Sequence, residues 1–382
     1  MIKLPPHPFK IVEIDERDPF IANALRERKH YEPCWCGSGK KYKRCHRLRE
    51  QEKPYTIGKL QNLQRKAFWL KRDCMHPLAS PESCSGKVID SHSIQRKGPL
   101  KQIIDNTGHV MHFETDSTNG QMKASKIGWR KASIFPGYCS THDTSLFSPI
   151  EKGEFSGEHW HCILHAFRNV CSELYRKQAL IESLEFIRLF IDKGFNPDRQ
   201  IETQFSFTKN IEGQKKSLEE TYCLRKKFES AIIEGNSDAF ESKCYFFHGD
   251  LDVVSSSVLQ CEFDFGGNNL IDMWNLSLDA QMISHSVMNT KDGGAIIFVW
   301  LKDEKDPKRV IESFDNIPDE EKGDIFVQYC FVNCENTFFS EKWWTNLSEN
   351  QQVKIQNYAK ALYYEGGKFT ANKDKLVNWV FV

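Results

Sequence analysis

The sequence has no run of eighteen or more apolar residues, which excludes a simple membrane-spanning helix. Its first residues, Met1-Ile2-Lys3-Leu4-Pro5-Pro6, lack the apolar stretch and small-residue cleavage site of a secretory leader, so a cytoplasmic location is expected. It has no P-loop, no glycine-rich dinucleotide turn, no nucleophile elbow and no internal repeat, which removes the commonest nucleotide-binding and acyl-transfer readings. Net charge is also lacking, with 52 Lys and Arg against 52 Asp and Glu. What is abundant is cysteine: thirteen residues that, in a reducing compartment, read as thiols and metal ligands rather than disulfides. With 40% hydrophobic and 12% aromatic residues, the 382-residue chain has the means to bury two or three cores.

The zero balance hides an asymmetry. From Arg26 to Arg72 there are 15 basic residues against 4 acidic ones, a local +11 that the remainder offsets. That segment is expected to meet a polyanion, or else to be a solvated basic linker. Within it runs Cys34-Trp35-Cys36-Gly37-Ser38-Gly39-Lys40-Lys41-Tyr42-Lys43-Arg44-Cys45-His46. Three thiols and one imidazole suit a tetrahedral zinc ion, and the glycines let the loop fold back on itself. Four ligands leave no open position, so the expected role is structural. The run resembles the SEC-C motif, the zinc-binding tail named after the bacterial preprotein translocase motor, with Trp35 where proline is usual. The resemblance implies a module that docks proteins or anionic surfaces, with Lys40, Lys41, Lys43 and Arg44 as candidate nucleic-acid contacts.

A second set of donors follows: Cys74, His76 and Cys84, then Cys139 and His142. The best zinc set is Cys74, Cys84, Cys139 and His142, with His76 able to replace either of the first two cysteines. A knuckle, a hairpin, and a ligand pair at a helix start make the plan of a treble-clef finger. With Val88-Ile89-Asp90-Ser91-His92 ending a strand and Asp143 following the ligand pair, the segment resembles HNH endonucleases. That resemblance implies His92 as general base on water attacking a phosphodiester, and Asp143 helping to hold Mg2+ or another divalent ion. Ser91 stands where the family has a metal-binding aspartate, and Asp143 where it has His or Asn. Seven basic residues against three acidic ones between Arg96 and Lys131, with Arg96, Lys97 and Lys101 just beyond His92, offer a rim for phosphates. His109 and His112 are further site candidates on one strand face, or ordinary half-buried structure.

The expected fold class is α+β. Its parts are an N-terminal arm (1–30), the SEC-C zinc motif (31–50), a connecting helix (51–72) with Leu60, Leu63, Phe68 and Leu70 at helical spacing, and a treble-clef, HNH-like zinc module (73–150). A helical region (151–238) and a C-terminal α+β domain (239–382) follow. Helices are expected at 19–29, 144–150, 161–193, 217–234, 307–314 and 349–363. Strands are expected around 243–248, 253–254, 259–265 and 295–301, with Gly266-Gly267 and Gly293-Gly294 as hairpin turns. Arg168, Glu173, Tyr175 and Lys177 share the helix after the finger, where an Arg–Glu pair would clamp finger to helix or lie solvated. Trp343-Trp344 and the run from Phe331 to Phe339 read as core, while Cys334-Glu335-Asn336 has no evident partner. The order of modules resembles uncharacterised bacterial proteins, some expected in defence against phage. Two functions stay open: a zinc-binding, metal-dependent endonuclease, and a non-catalytic adaptor whose zinc modules dock a partner protein or nucleic acid.

Overall fold

The computed structural model describes residue 15 and residues 17–68, 73–116, 121–364 and 369–382, with the side chains of residues 363 and 364 excepted. The chain divides into two compact units, one within residues 15–68 and 176–218, the other within 73–116, 121–175 and 219–382. Both helix and sheet are present in quantity, as the α+β expectation requires. Among the described residues, no helix is long and apolar enough to cross a membrane.

The first unit is built on helices. α1 (Pro19–Leu25) starts with proline at its first position, and the Asp18 carboxylate accepts from the Phe20 N–H. It ends at Leu25, four residues before the expected end, and Arg26 is already extended. α2 (Ile57–Phe68) is the connecting helix, and Leu70 lies outside the described residues. α2 packs Leu60 against Ile181, Leu184 and Ile187 of α4 (His159–Ile187) and against Phe207 and Ile211 of α5 (Pro197–Glu234). α5 begins twenty residues before the periodic stretch at 217, because its first half is too polar to show an apolar stripe.

The second unit holds an eight-stranded antiparallel sheet in the order β10-β5-β8-β7-β6-β9-β2-β3. In chain order these are β2 (His109–Thr115), β3 (Met122–Gly128), β5 (Phe240–His248), β6 (Val253–Gln260), β7 (Met282–Asn289), β8 (Gly293–Leu301), β9 (Thr337–Phe339) and β10 (Val380–Phe381). The central strand β8 is apolar almost throughout and buried on both faces. β7 beside it is buried as deeply while carrying Ser284, His285 and Ser286, which hid it from pattern reading. The residues after Gln260 that looked strand-like, 261–265, lie outside β6.

Against this sheet pack α6 (Asp306–Asp315), α7 (Asp319–Asn333), α8 (Glu341–Asn346) and α9 (Glu349–Tyr364). α7 has no counterpart in the sequence expectations, because the residues from Ile325 to Val332, apolar but for Gln328, leave no helical polar face. Trp343 is core, as expected, and its indole N–H donates to the Leu376 carbonyl at 2.7 Å.

A separate two-stranded ribbon pairs β1 (Val88–His92) with β4 (Ile134–Cys139), and α3 (Ser140–Glu151) follows directly. The hairpin β2–β3 that lies between them in sequence joins the large sheet, so the ribbon is closed by strands forty residues apart rather than by a local hairpin. Asn169, in the part of α4 that belongs to the second unit, is bonded to β7: its side-chain NH2 reaches Ser286 Oγ at 2.8 Å, the His285 carbonyl at 3.0 Å and Ser284 Oγ at 3.1 Å. Asn169→Ala leaves these acceptors buried without their donor and is expected to cost about 1–3 kcal/mol. A denaturant midpoint that falls at unchanged slope checks this, and an unmoved midpoint refutes it.

Candidate metal centres and a buried polar centre

In the first unit, Gly37 and Gly39 adopt positive φ (75° and 70°), which turns the chain so that the Cys34 N–H donates to the Lys40 carbonyl at 2.8 Å. A single helical turn, Tyr42–Arg44, then delivers Cys45 and His46 beside Cys34 and Cys36. The four ligand atoms lie within 4.8 Å of one another and all four residues are buried. His46 Nδ1 is 3.2 Å from both Cys34 Sγ and Cys45 Sγ, and Cys36 Sγ is 3.6 Å from Cys45 Sγ. Zinc bonded to sulfur at about 2.3 Å and to nitrogen at about 2.0 Å separates tetrahedral N and S by about 3.6 Å, so the donor set fits a closed tetrahedral ion.

The support around this group was not visible in sequence. His46 Nε2 faces Asp192 Oδ2 at 2.9 Å, 146 residues away, and Asp192 also accepts from the Arg49 guanidinium and from Gln204 Nε2. This is the carboxylate that fixes a ligating imidazole's tautomer and raises its basicity. Arg188 donates to the Cys36 carbonyl at 2.7 Å. Trp35, in place of the usual proline, lies against His46 with centroids 4.4 Å apart, and Phe20 of α1 meets its edge. Lys40, Lys41, Lys43 and Arg44 are exposed, and the Lys43 ammonium stands 4.1 Å from the exposed Tyr31 ring.

In the second unit, the loop before β1 supplies Cys74 and Cys84, the end of β4 supplies Cys139, and the first turn of α3 supplies His142. His142 Nδ1 is 3.4 Å from Cys74 and Cys139 and 3.6 Å from Cys84. These four form the second group able to hold an ion such as zinc. His76 is outside it: its ring stacks on His142 at 4.0 Å and its Nδ1 accepts from the Leu78 N–H.

Of the residues singled out for chemistry, Ser91 and His92 lie on β1 of the ribbon, which His92 ends, and Asp143 lies in the first turn of α3. The Ser91 hydroxyl faces the Asp143 carboxyl, and the charges of Arg168 and Glu151 act on both Asp143 and His92. Arg168, fully buried on α4, donates to Glu151 at 2.7 Å and lies 3.9 Å over the Phe147 ring. The clamp foreseen for Arg168 therefore closes on Glu151 of α3. Among the described residues, His92 Nε2, Asp143 Oδ1, and Arg168 Nε and Nη1 are buried without a hydrogen-bond partner. Burial, and then the Arg96 charge, push the His92 imidazole down to about 4. Burial raises Asp143 although Arg168 and Ser91 pull it back.

Not all candidates join this centre. Among the described residues, three Cys/His groups gather ligand atoms closely enough for an ion, and none contains His92, Ser91 or Asp143. His109 is engaged locally, its Nδ1 2.9 Å from Thr107 Oγ1, and His112 packs near Phe338. Lys97 and Lys101 are exposed beyond β1, while Arg96 is half-buried with its guanidinium 5.7 Å from the Trp129 ring. Contrary to expectation, Cys334 and Asn336 have partners: Cys334 faces His285, and Asn336 donates to Ser93 and Ser256.

Replacing Asp192 by Asn keeps the shape around His46 but removes the carboxylate. It is expected to weaken ion binding at the first group about 10–100-fold. Competition with a chromophoric chelator reads this, and equal competition curves for variant and wild type would refute it.

A family model described as the SEC-C motif matches residues 32–48. No curated protein matches the chain, and no solved structure does. The chain thus carries a SEC-C motif, and that motif contains the first metal-capable group, Cys34, Cys36, Cys45 and His46.

Proposed function

We propose that this is a zinc-binding protein whose second module hydrolyses phosphodiesters at the centre made by His92, Ser91, Asp143 and Arg168. The observation that carries the reading is four buried polar atoms without a hydrogen-bond partner among the described residues, in three residues from three elements, with the Ser91 hydroxyl facing one of them. Each such atom costs about 1–3 kcal/mol when left unmet, so their convergence points to a ligand that meets them. Guanidinium and hydroxyl donors beside an imidazole suit a phosphate ester approached by water. His92, neutral at pH 7, takes the proton of the attacking water at Nε2. Arg168 holds the phosphate oxygens through Nε and Nη1. Asp143, whose carboxyl retains its proton more readily than usual, gives that proton to the departing oxygen of the ester.

Zinc at the two Cys3His groups is structural in this reading, since each set is closed. A resident magnesium ion beside His92 does not fit as well. Among the described residues no group of three His, Cys, Asp or Glu ligands includes His92 or Asp143, and Arg168 already brings a fixed positive charge to Asp143. The exposed basic edge at Lys40, Lys41, Lys43 and Arg44 favours docking of nucleic acid by the SEC-C motif, with Arg96, Lys97 and Lys101 as the rim near the centre. The adaptor reading draws on this same edge and needs no chemistry at His92. A role in defence against phage rests on the likeness of module order alone.

His92→Ala is expected to abolish cleavage of single- and double-stranded DNA and RNA while leaving zinc content and melting temperature unchanged. Cutting at the wild-type rate would refute the proposed base, and a wild-type protein that cuts none of these substrates would leave the adaptor reading.

The pH dependence follows from the depressed His92. With the imidazole at about 4 in the folded chain against 6.5 unfolded, the base form persists as pH falls, and the acid limb of kcat/KM belongs near pH 4. The unfolded chain binds this proton first, so the His92 contribution makes stability decline as pH drops from 6.5 towards 4. A wild-type acid limb near pH 6.5 instead would contradict the assignment.

A further inference from the structure

A third convergence of soft donors lies in the second unit, apart from both centres above. The ligand atoms of His285 on β7, Cys330 on α7 and Cys334 at the end of α7 lie within 4.8 Å of one another. These residues are 1%, 0% and 3% exposed. Cys330 and Cys334 are one helical turn apart, the Cys334 N–H closing on the Cys330 carbonyl at 2.8 Å, so both thiols share a face. Cys334 Sγ is 3.7 Å from His285 Nε2, and Ser255 Oγ of β6 is 3.1 Å from the same nitrogen. Tetrahedral zinc separates N from S by about 3.6 Å and N from O by about 3.4 Å, so both contacts have the spacing of ligands on one ion. Thr337 Oγ1 stands 3.0 Å from Ser255 Oγ and 3.0 Å from the Cys334 carbonyl, where it orients the hydroxyl.

We propose that Cys330, Cys334 and His285, with the Ser255 hydroxyl as fourth donor, bind a divalent ion of the zinc class. Charge selects that class. The pocket is walled by the rings of Phe298 and Phe326, whose centroids lie 6.3 and 5.7 Å from that of His285. An interior of this kind favours a neutral assembly. Two thiolates cancel a divalent cation, whereas imidazole and hydroxyl add no charge. A monovalent soft ion such as Cu+ would leave one negative charge buried. Binding releases the two thiol protons to solvent and oxidises nothing. The ion would tie β6 and β7 to α7 at the middle of the sheet.

The test uses the full chain expressed with zinc supplied. Elemental analysis is expected to find one zinc per chain fewer in the Cys330→Ala/Cys334→Ala variant than in wild type, with the two Cys3His groups intact in both. Anomalous scattering at the zinc edge from wild-type crystals is expected to show a peak bounded by Cys330, Cys334 and His285. The map stands on its own if the variant does not fold. Unchanged zinc content in the variant, or no peak at this place in wild type, overturns the proposal. Because neither measurement involves cleavage, its failure is separate from failure of the hydrolytic reading.

Discussion

Three thiols and an imidazole turned towards one buried point cannot lose their protons there unless a cation takes up the charge. That constraint governs both Cys3His groups. In the first it explains why Asp192 is buried beside His46 instead of at the surface: a ligating imidazole must pass its other N–H to an acceptor, and the carboxylate in turn needs Arg49 and Gln204. The chain from Cys34 to Asp192 makes the motif inseparable from the helices of its unit, since Arg188, Asp192 and Gln204 come from residues that sequence distance would never connect with it.

The same logic extends to the ribbon of the second unit. Cys139 and His142 are brought together by the junction of β4 and α3, and the ion they can share with Cys74 and Cys84 would hold that junction still. His92 is registered opposite Ile134 across the ribbon, and Asp143 is the residue after His142. A metal bound there would fix the start of α3, and with it the position of Asp143 relative to β1, without taking part in the proposed hydrolysis. Pre-organisation of this kind is what a hydrolytic centre on a small ribbon requires.

How much of this was legible in sequence follows from locality. The first donor set lies within thirteen residues of distinctive chemistry and could be read whole. The second spans Cys74 to His142, yet cysteine and histidine are uncommon enough for the four to be picked out across sixty-eight residues. The third was missed for two physical reasons. β7 carries Ser, His and Ser in a buried strand, against the usual pattern, and α7 is buried nearly throughout with apolar residues on every side of its second half, so neither its helical period nor the meeting of Cys330 with Cys334 was apparent. Arg168 was seen, but its partner was sought on its own helix at Glu173; Glu151 lies seventeen residues upstream across a turn.

The departures of this ribbon from the HNH pattern are coherent once charge is counted. An aspartate at position 91 beside Asp143 would make two carboxylates that call for a divalent ion. Ser91 removes one negative charge, and the buried Arg168 supplies a positive one to Asp143 and Glu151. With Arg96 acting on the same imidazole, two arginines stand against two carboxylates at the proposed centre. A phosphodiester entering it brings one negative charge into a region already poor in water. The least costly response is a proton on Asp143, whose carboxyl burial already raises. That proton then stands beside the oxygen that must leave, while His92 remains free of one. In the proposed reaction, substrate binding itself would thus set the acid and base in opposite protonation states, a division of labour that a ligated divalent ion would otherwise have to provide.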